Sequence, residues 1–365
     1  MLHRFNLGIT LVAASLLAAC GSKSGLSDAP REERPVEPTR PDAFVPVPPD
    51  LGRPIDAFIP PDGEPPRPPR PCRSRAQPVD LLFVIDSSGS MQDEIASLAE
   101  QIPRFLRDLL EPPDRDGDGR ADWAAVEDLH VGIAPTGLAG QLGSQGDPGR
   151  AECASSYPLF QSYRRGDDVE RLANDVSCVA TSIVSGGEAL FSTALQALLP
   201  SSTPFPIRGM GDTRHAGFLR PESLLVLLFM TDEEDESRCT GAPDDECIEH
   251  CVTLAGRTFC RPPTGSVEKY VEGMRLLRSG DQLVVGSLAG APTDTMDPDA
   301  ILEATLTANP FSSICRNGAL SGLPAPRMVD FTQQMDGLFL SICAEGYEAL
   351  VGPIAERVGR LACDE

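Results

Sequence analysis

From residue 79 onward the apolar positions switch between two periods. Val79-Asp80-Leu81-Leu82-Phe83-Val84-Ile85 is a short, mostly apolar run that ends at a turn. That is the pattern of a strand buried on both faces in a parallel sheet. Behind it Ile95, Leu98, Ile102, Phe105, Leu106 and Leu109 recur at helical spacing with charges between them. They predict an amphipathic helix, which Pro103 is expected to kink or interrupt. Leu129-His130-Val131-Gly132-Ile133-Ala134 predicts a second strand, followed by a long Gly-rich loop. Val169, Leu172, Ala173, Val176 and Val179 predict a helix, and Ala189 to Leu199 another. Leu224 to Met230 is the strongest strand signal, and a polar, Cys-rich insertion runs from about 232 to 263. A helix over Val267 to Leu277, a strand over Gln282 to Leu288, a strand near Leu338 to Ile342 and a helix near Tyr347 to Leu361 complete the pattern. Strands alternating with helices predict an α/β fold: a doubly wound, mostly parallel sheet with helices on both faces.

The N-terminal part has a different character. His3 and Arg4 precede an apolar run from Leu7 to Ala19. The run is too short to span a bilayer and fits the core of a signal peptide. It ends in Leu17-Ala18-Ala19-Cys20-Gly21, which resembles a lipobox, with cleavage before Cys20 and a lipid on its thiol. An ordinary cut after small residues is the alternative. Gly21 rather than Asp points to the outer membrane, by analogy with lipoprotein sorting. The following segment to residue 71 is rich in proline and poor in large apolar residues. It cannot bury enough surface to fold and is expected to be an extended tether. Within it Pro41-Asp42-Ala43-Phe44-Val45-Pro46 echoes Ile55-Asp56-Ala57-Phe58-Ile59-Pro60, two copies being too few for a repeat fold. The expected organisation is a signal peptide at 1–19, a lipidated Cys20 with tether at 20–71, and one folded domain at 72–365.

Charge and cysteines narrow the function. The 365 residues carry a net charge of -23, with 54 acidic side chains against 31 basic. Nucleic acid is not an expected partner, because phosphate binding needs a basic surface. Surplus carboxylates suit divalent cations, although solubility alone explains most of them. Of eleven cysteines, setting Cys20 aside leaves an even number, as paired cysteines in an exported chain require. Cys153 with Cys178, and pairs within Cys239, Cys247, Cys251 and Cys260, are the nearby candidates. Those four with His250 also resemble a zinc cluster, but export favours disulfides.

The chemistry concentrates in Asp86-Ser87-Ser88-Gly89-Ser90, directly after the first strand. A buried strand delivers this turn to the C-terminal edge of the sheet, where open α/β folds bind ligands. Asp86, Ser88 and Ser90 offer one carboxylate and two hydroxyls from one tight turn, a ligand set for a hard cation. Asp232, just past the strand Leu224 to Met230, can complete the site. A second candidate is Asp114, Asp116, Asp118 and Asp122, at positions 1, 3, 5 and 9 of a calcium-type loop with Gly119 at position 6. Ala125 replaces the glutamate expected at position 12, and a solvated acidic loop is the plain alternative. No Gly-x-Ser-x-Gly, Walker-type or His-Glu-x-x-His motif is present, so no catalytic residues are assigned and an enzyme is not expected.

Phe83-Val84-Ile85-Asp86-Ser87-Ser88-Gly89-Ser90-Met91 resembles the start of a von Willebrand factor type A (VWA) domain. Leu129 to Ile133 resembles its second strand. Gly217-Phe218-Leu219-Arg220-Pro221, with Leu224 to Met230 and Thr231-Asp232-Glu233-Glu234-Asp235, is similar to VWA-bearing lipoproteins of Gram-negative bacteria. The resemblance spans residues 79 to 361 and implies a Rossmann-like fold. It implies magnesium or manganese at Asp86, Ser88, Ser90 and Asp232. Calcium at the Asp114 loop, expected from that loop's own spacing, would serve structure only. The resemblance further implies a protein partner that offers a carboxylate to the cation, hence adhesion or protein binding at the cell envelope. The family pattern also uses a threonine from a second loop, where this chain has Val184-Ser185-Gly186-Gly187-Glu188. Ser185 is the nearest hydroxyl, and Thr181 and Thr193 the next. A structural envelope module with a degenerate metal site, binding through the Cys-rich insertion, is therefore the alternative. A hydrolase with a cryptic serine is a third.

Overall fold

The computed structural model describes residues 77–143, 158–182, 186–238 and 264–363, with the backbone alone of two short strands in the insertion. All of them belong to one unit, Glu64–Glu365. The signal peptide, Cys20, the tether, Cys153, Ser185 and most of the Cys-rich insertion lie outside the described residues.

In chain order the elements are β1 (Val79–Ile85), α1 (Gln92–Leu110), β2 (Asp128–Pro135), β3 (Phe160–Arg164), α2 (Val169–Thr181), α3 (Leu190–Leu198) and β4 (Leu224–Met230). Then come β5 (Cys251–Leu254), β6 (Arg257–Cys260), α4 (Val267–Leu277), β7 (Leu283–Ala289), α5 (Pro298–Thr307), β8 (Cys315–Asn317) and β9 (Leu320–Gly322). The last three are α6 (Pro326–Gln334), β10 (Leu338–Ser341) and α7 (Glu348–Ala362). Six strands form the main sheet in the order β10-β7-β4-β1-β2-β3. All its pairs are parallel except β2 with the edge strand β3. β5 pairs with β6, and β8 with β9, as antiparallel hairpins.

The sheet is covered on both faces, as the apolar runs predict. β1 is buried along its whole length. Its Leu81, Phe83 and Ile85 pack with α1, α2 and α7, while Leu82 and Val84 pack with α3, α4 and α6. Successive strand residues point to opposite faces, so a strand with helices on both sides has no polar face. Chain order reverses between β1 and β4, the switch point at which such sheets leave a crevice beyond the strand ends.

Several elements have no counterpart in the sequence pattern: β3, the β5–β6 hairpin, α5, α6 and the β8–β9 hairpin. β3 is an edge strand in which Tyr163 alone is buried. α6 buries Arg327 and Thr332 beside its apolar residues, which blurs its period. α5 buries only Ile301 and Thr305. Pro103 does not interrupt α1, which continues to Leu110. A proline cannot donate to the carbonyl four residues back; here the Ala99 carbonyl accepts a 3.1 Å hydrogen bond from Ser177 Oγ of α2 instead.

Cross-links tie the periphery to the sheet. Cys315 and Cys343 form a disulfide that joins β8 to the end of β10. Cys178 and Cys363 are also disulfide-bonded, with partners outside the described residues. At the N-terminal edge of the sheet, Asp80 is fully buried. It accepts hydrogen bonds from Arg220 Nε at 2.8 Å, Arg220 N at 2.6 Å and Ser223 Oγ at 2.5 Å. Arg220 also pairs with Asp128.

Candidate metal centre

Asp86 is the first residue beyond β1, and Asp232 the second beyond β4, so both stand at the C-terminal side of the switch point. The two strands run in register, Ile85 opposite Met230, which places the two loops side by side. Asp86 is fully buried, with Oδ1 accepting from Ser88 N at 2.7 Å and Oδ2 from Thr231 Oγ1 at 2.8 Å. Ser88 Oγ and Ser90 Oγ are hydrogen-bonded at 2.9 Å, and Ser90 Oγ donates to Asp232 Oδ1 at 3.2 Å. The four residues named by the sequence thus form one connected set. Burial falls from the Asp86 floor, through half-buried Ser88, to exposed Ser90, so the site opens to solvent. Met91 closes it from below, its sulfur accepting Asp232 N–H at 3.1 Å.

The electrostatics are those of a missing positive charge. Burial pushes the Asp86 carboxyl up to about 6, against hydrogen bonds from Ser88 and Thr231. Asp232 is pushed up to about 7, first by burial and then by the charge of Asp86. Glu94, on the first turn of α1, is also buried and raised by burial. Other buried carboxylates have cationic partners: Arg220 pairs with Asp80, and Arg327 with Asp235 at 3.1 Å. Among the described residues, no Lys, Arg or His side chain forms an ion pair with Asp86, Asp232 or Glu94. An unpaired carboxylate is costly to bury unless a cation or hydrogen bonds compensate it. Two carboxylates and two hydroxyls at one opening fit a hard divalent cation such as magnesium or manganese.

Three loops are stitched together around the site. Thr136, after β2, accepts a hydrogen bond from Ser87 N at 3.0 Å and donates to the Gly187 carbonyl. Ser87 Oγ accepts from Gly137 N at 2.9 Å, and Ser87 O from Gly186 N at 2.8 Å. Gly137 and Gly186 touch backbone to backbone; a Cβ on Gly186 would lie 1.9 Å from Gly137 Cα. The hydroxyl beside Asp86 is therefore that of Thr231. Thr181 Oγ1 bonds back to the carbonyls of Ser177 and Cys178, and Thr193 is buried within α3. Ser185 lies outside the described residues.

Sequence reasoning missed Thr231, Thr136 and Glu94. The two threonines are the first residues beyond β4 and β2, the position Asp86 holds beyond β1. Glu94 lies four residues before Leu98 and eight before Ile102, in line with the apolar stripe of α1. The acidic run after Asp232 is not solvated throughout. Asp235 is fully buried, accepting from Phe191 N at 3.1 Å and Ser237 Oγ at 2.8 Å besides its ion pair with Arg327. It anchors the segment that carries Asp232.

At the second candidate, Asp114, Asp116 and Asp122 bring carboxylate oxygens within 4.8 Å of one another. Asp118 is not among them, and its Oδ1 accepts from Arg120 N at 2.8 Å. The two described histidines lie elsewhere: His215 Nδ1 faces the Ala197 carbonyl at 2.9 Å, and His130 Nδ1 the Phe218 carbonyl at 3.0 Å.

Comparison with known proteins adds distant likenesses. No protein-family model matches the sequence, and no curated protein does. Among solved structures, the pilus adhesin SpaC from Lactobacillus rhamnosus GG, in an open conformation, is similar at a TM-score of 0.36 and 12% identity. The likeness covers 80% of this chain and 31% of that one. The minor pilin PilB from Streptococcus sanguinis is similar at a TM-score of 0.36 and 11% identity, covering 83% of this chain and 64% of that one. Proximal thread matrix protein 1 from the mussel byssus is similar at 0.33 and 10% identity, covering 79% and 48%. The chain spans less than two thirds of the length of each of these structures, and likenesses this distant carry no argument about function.

Proposed function

We propose that the chain is an exported lipoprotein whose VWA-type domain binds a protein partner through a divalent cation. The observation that carries this is the set of buried carboxylates at the switch point that, among the described residues, form no ion pair with a cationic side chain. Asp86, Ser88, Ser90 and Asp232 would hold magnesium or manganese. The bound ion would supply a Lewis-acidic position for a carboxylate of the partner. Thr231 orients Asp86, Asp235 anchors the loop of Asp232, and the Ser87–Thr136–Gly186 contacts hold the serine turn in place. Disulfide use, at Cys315–Cys343, Cys178 and Cys363, supports an oxidising compartment outside the cytosol. No described helix is long and apolar enough to cross a membrane. The anchor would be a lipid on Cys20, in the outer membrane. Calcium at Asp114, Asp116 and Asp122 would brace the loop before β2 and play no part in partner binding.

The test is thermal unfolding of residues 20–365 carrying Cys20→Ser, with magnesium, manganese, calcium or chelator. Ligand at about 100 times its Kd adds about 2.7 kcal/mol, a rise of several degrees for a domain of this size. A magnesium or manganese shift that disappears in Asp86→Ala is the expected result. A calcium shift that survives that substitution belongs to the Asp114 loop. No shift with any ion would favour the degenerate scaffold, with binding through the Cys-rich insertion.

A further inference from the structure

Glu94 has an oxygen the fold does not use. Its side chain is 1% exposed, Oε1 accepts from Ser321 N of β9 at 3.0 Å, and Oε2 is buried without a hydrogen-bond partner. Leaving such an oxygen unsatisfied costs stability, more for a charged group than for a neutral one. Ser90, whose hydroxyl bonds Asp232, lies in the short turn that leads into α1, four residues before Glu94. The charge of Glu94 reaches the Asp232 carboxyl. A second link runs the same way, from Leu323 N to the Asp232 carbonyl at 2.7 Å. The β9 segment is thus joined both to Glu94 and to the main chain of a cation ligand. Through Cys315–Cys343 the same hairpin is fastened to the end of β10.

Resting on the proposed metal centre, we propose that Glu94 is a third carboxylate of that centre, acting on the cation from outside the direct ligand set and tying its occupancy to the β8–β9 hairpin. Its position outside the direct ligands follows from geometry. Among the described residues, the acidic trio within 4.8 Å is Asp114, Asp116 and Asp122, not Asp86, Asp232 and Glu94. The free Oε2 is then the acceptor that a hydrated cation's shell requires, and Oε1 carries the effect to Ser321. Neither residue belongs to the Asp-x-Ser-x-Ser motif.

Glu94→Gln separates this role from a structural one. The glutamine carbonyl can still accept Ser321 N–H, so a residue that only holds the hairpin would leave cation affinity unchanged. Magnesium and manganese affinities are measured by calorimetry on residues 20–365 with Cys20→Ser, for this background, Glu94→Gln and Asp86→Ala. The expected result is a loss of about 10–100-fold in Glu94→Gln, the range for groups that support a metal from beyond its ligands. Binding should vanish in Asp86→Ala, with the chelated Glu94→Gln protein no less stable than its parent. Equal affinity in Glu94→Gln and parent, with binding lost in Asp86→Ala, overturns the Glu94 proposal and leaves the metal centre standing. Absence of binding in the parent overturns both. If Glu94→Gln does not fold, the unsubstituted protein decides. Its Ser321 amide resonance should move on saturation with magnesium, and an unmoved resonance overturns the proposal.

Discussion

At the residue scale, the centre behaves as acids held together against their charge. Asp86 and Asp232 are pushed up to about 6 and about 7 from an ordinary 3.8. A folded-state value above the unfolded one means the fold favours the protonated form. That contribution is full below pH 3.8 and is lost as pH rises through 6 and 7. The metal-free domain should therefore lose stability between about pH 4 and pH 7 relative to Asp86→Asn, read as the difference in urea midpoint in chelator. Saturating magnesium should remove the difference, because the cation takes over the compensation. A metal-free protein whose midpoint parallels that of Asp86→Asn across this range would argue against uncompensated charge at the site. His215 titrates in the opposite sense. Burial holds it below 6.5, and its Nε2 accepts from Leu142 N at 3.2 Å. Stability drawn from the neutral ring is present above pH 6.5 and declines as pH falls below it. The His215 resonances should accordingly titrate below those of a model peptide.

Elements bring these residues together through a few backbone contacts rather than through large surfaces. The closest is between Gly137 and Gly186, where even a methyl has no room. Gly186→Ala should force the two loops apart, costing about 1–3 kcal/mol as overpacking does, and should shrink the magnesium-induced thermal shift although residue 186 is not a ligand. A variant with the parent's stability and shift would show that the loops move independently. Helix α1 makes a similar point. Its continuity through Pro103 depends on a hydroxyl from α2, so Ser177→Ala should cost about 1 kcal/mol by equilibrium unfolding. Helical periodicity was legible in α1, α2, α3, α4 and α7 because each buries an apolar stripe. It was not legible in α6, whose buried face includes Arg327 and Thr332, since a partnered polar residue looks exposed until its partner is known.

Across the whole molecule the sheet has two unlike ends. The N-terminal edge is closed by the Asp80–Arg220 network, and the C-terminal edge carries carboxylates that, among the described residues, have no cationic partner. Arg220→Ala should strand the fully buried Asp80 and destabilise the domain by about 3–5 kcal/mol, the usual cost of breaking a buried pair from one side. It should leave magnesium affinity unchanged in the fraction that folds, because the two networks lie at opposite strand ends. A small loss in a urea titration would mean that water replaces the guanidinium. Local chemistry was enough to place Asp86, Ser88, Ser90 and Asp232 beyond buried strands, because apolar runs and the turns that end them are written in adjacent residues. It was enough as well to predict the doubly wound sheet, since alternating strands and helices leave few other ways to bury both strand faces. Only the folded chain could bring Thr231 to Asp86, Thr136 to Ser87, Arg327 to Asp235 and Ser321 to Glu94. All four partners come from segments far apart along the chain, from 49 to 227 residues away. A hydrogen bond or an uncompensated charge is a property of what lies across the gap, and the linear order of residues does not contain that distance.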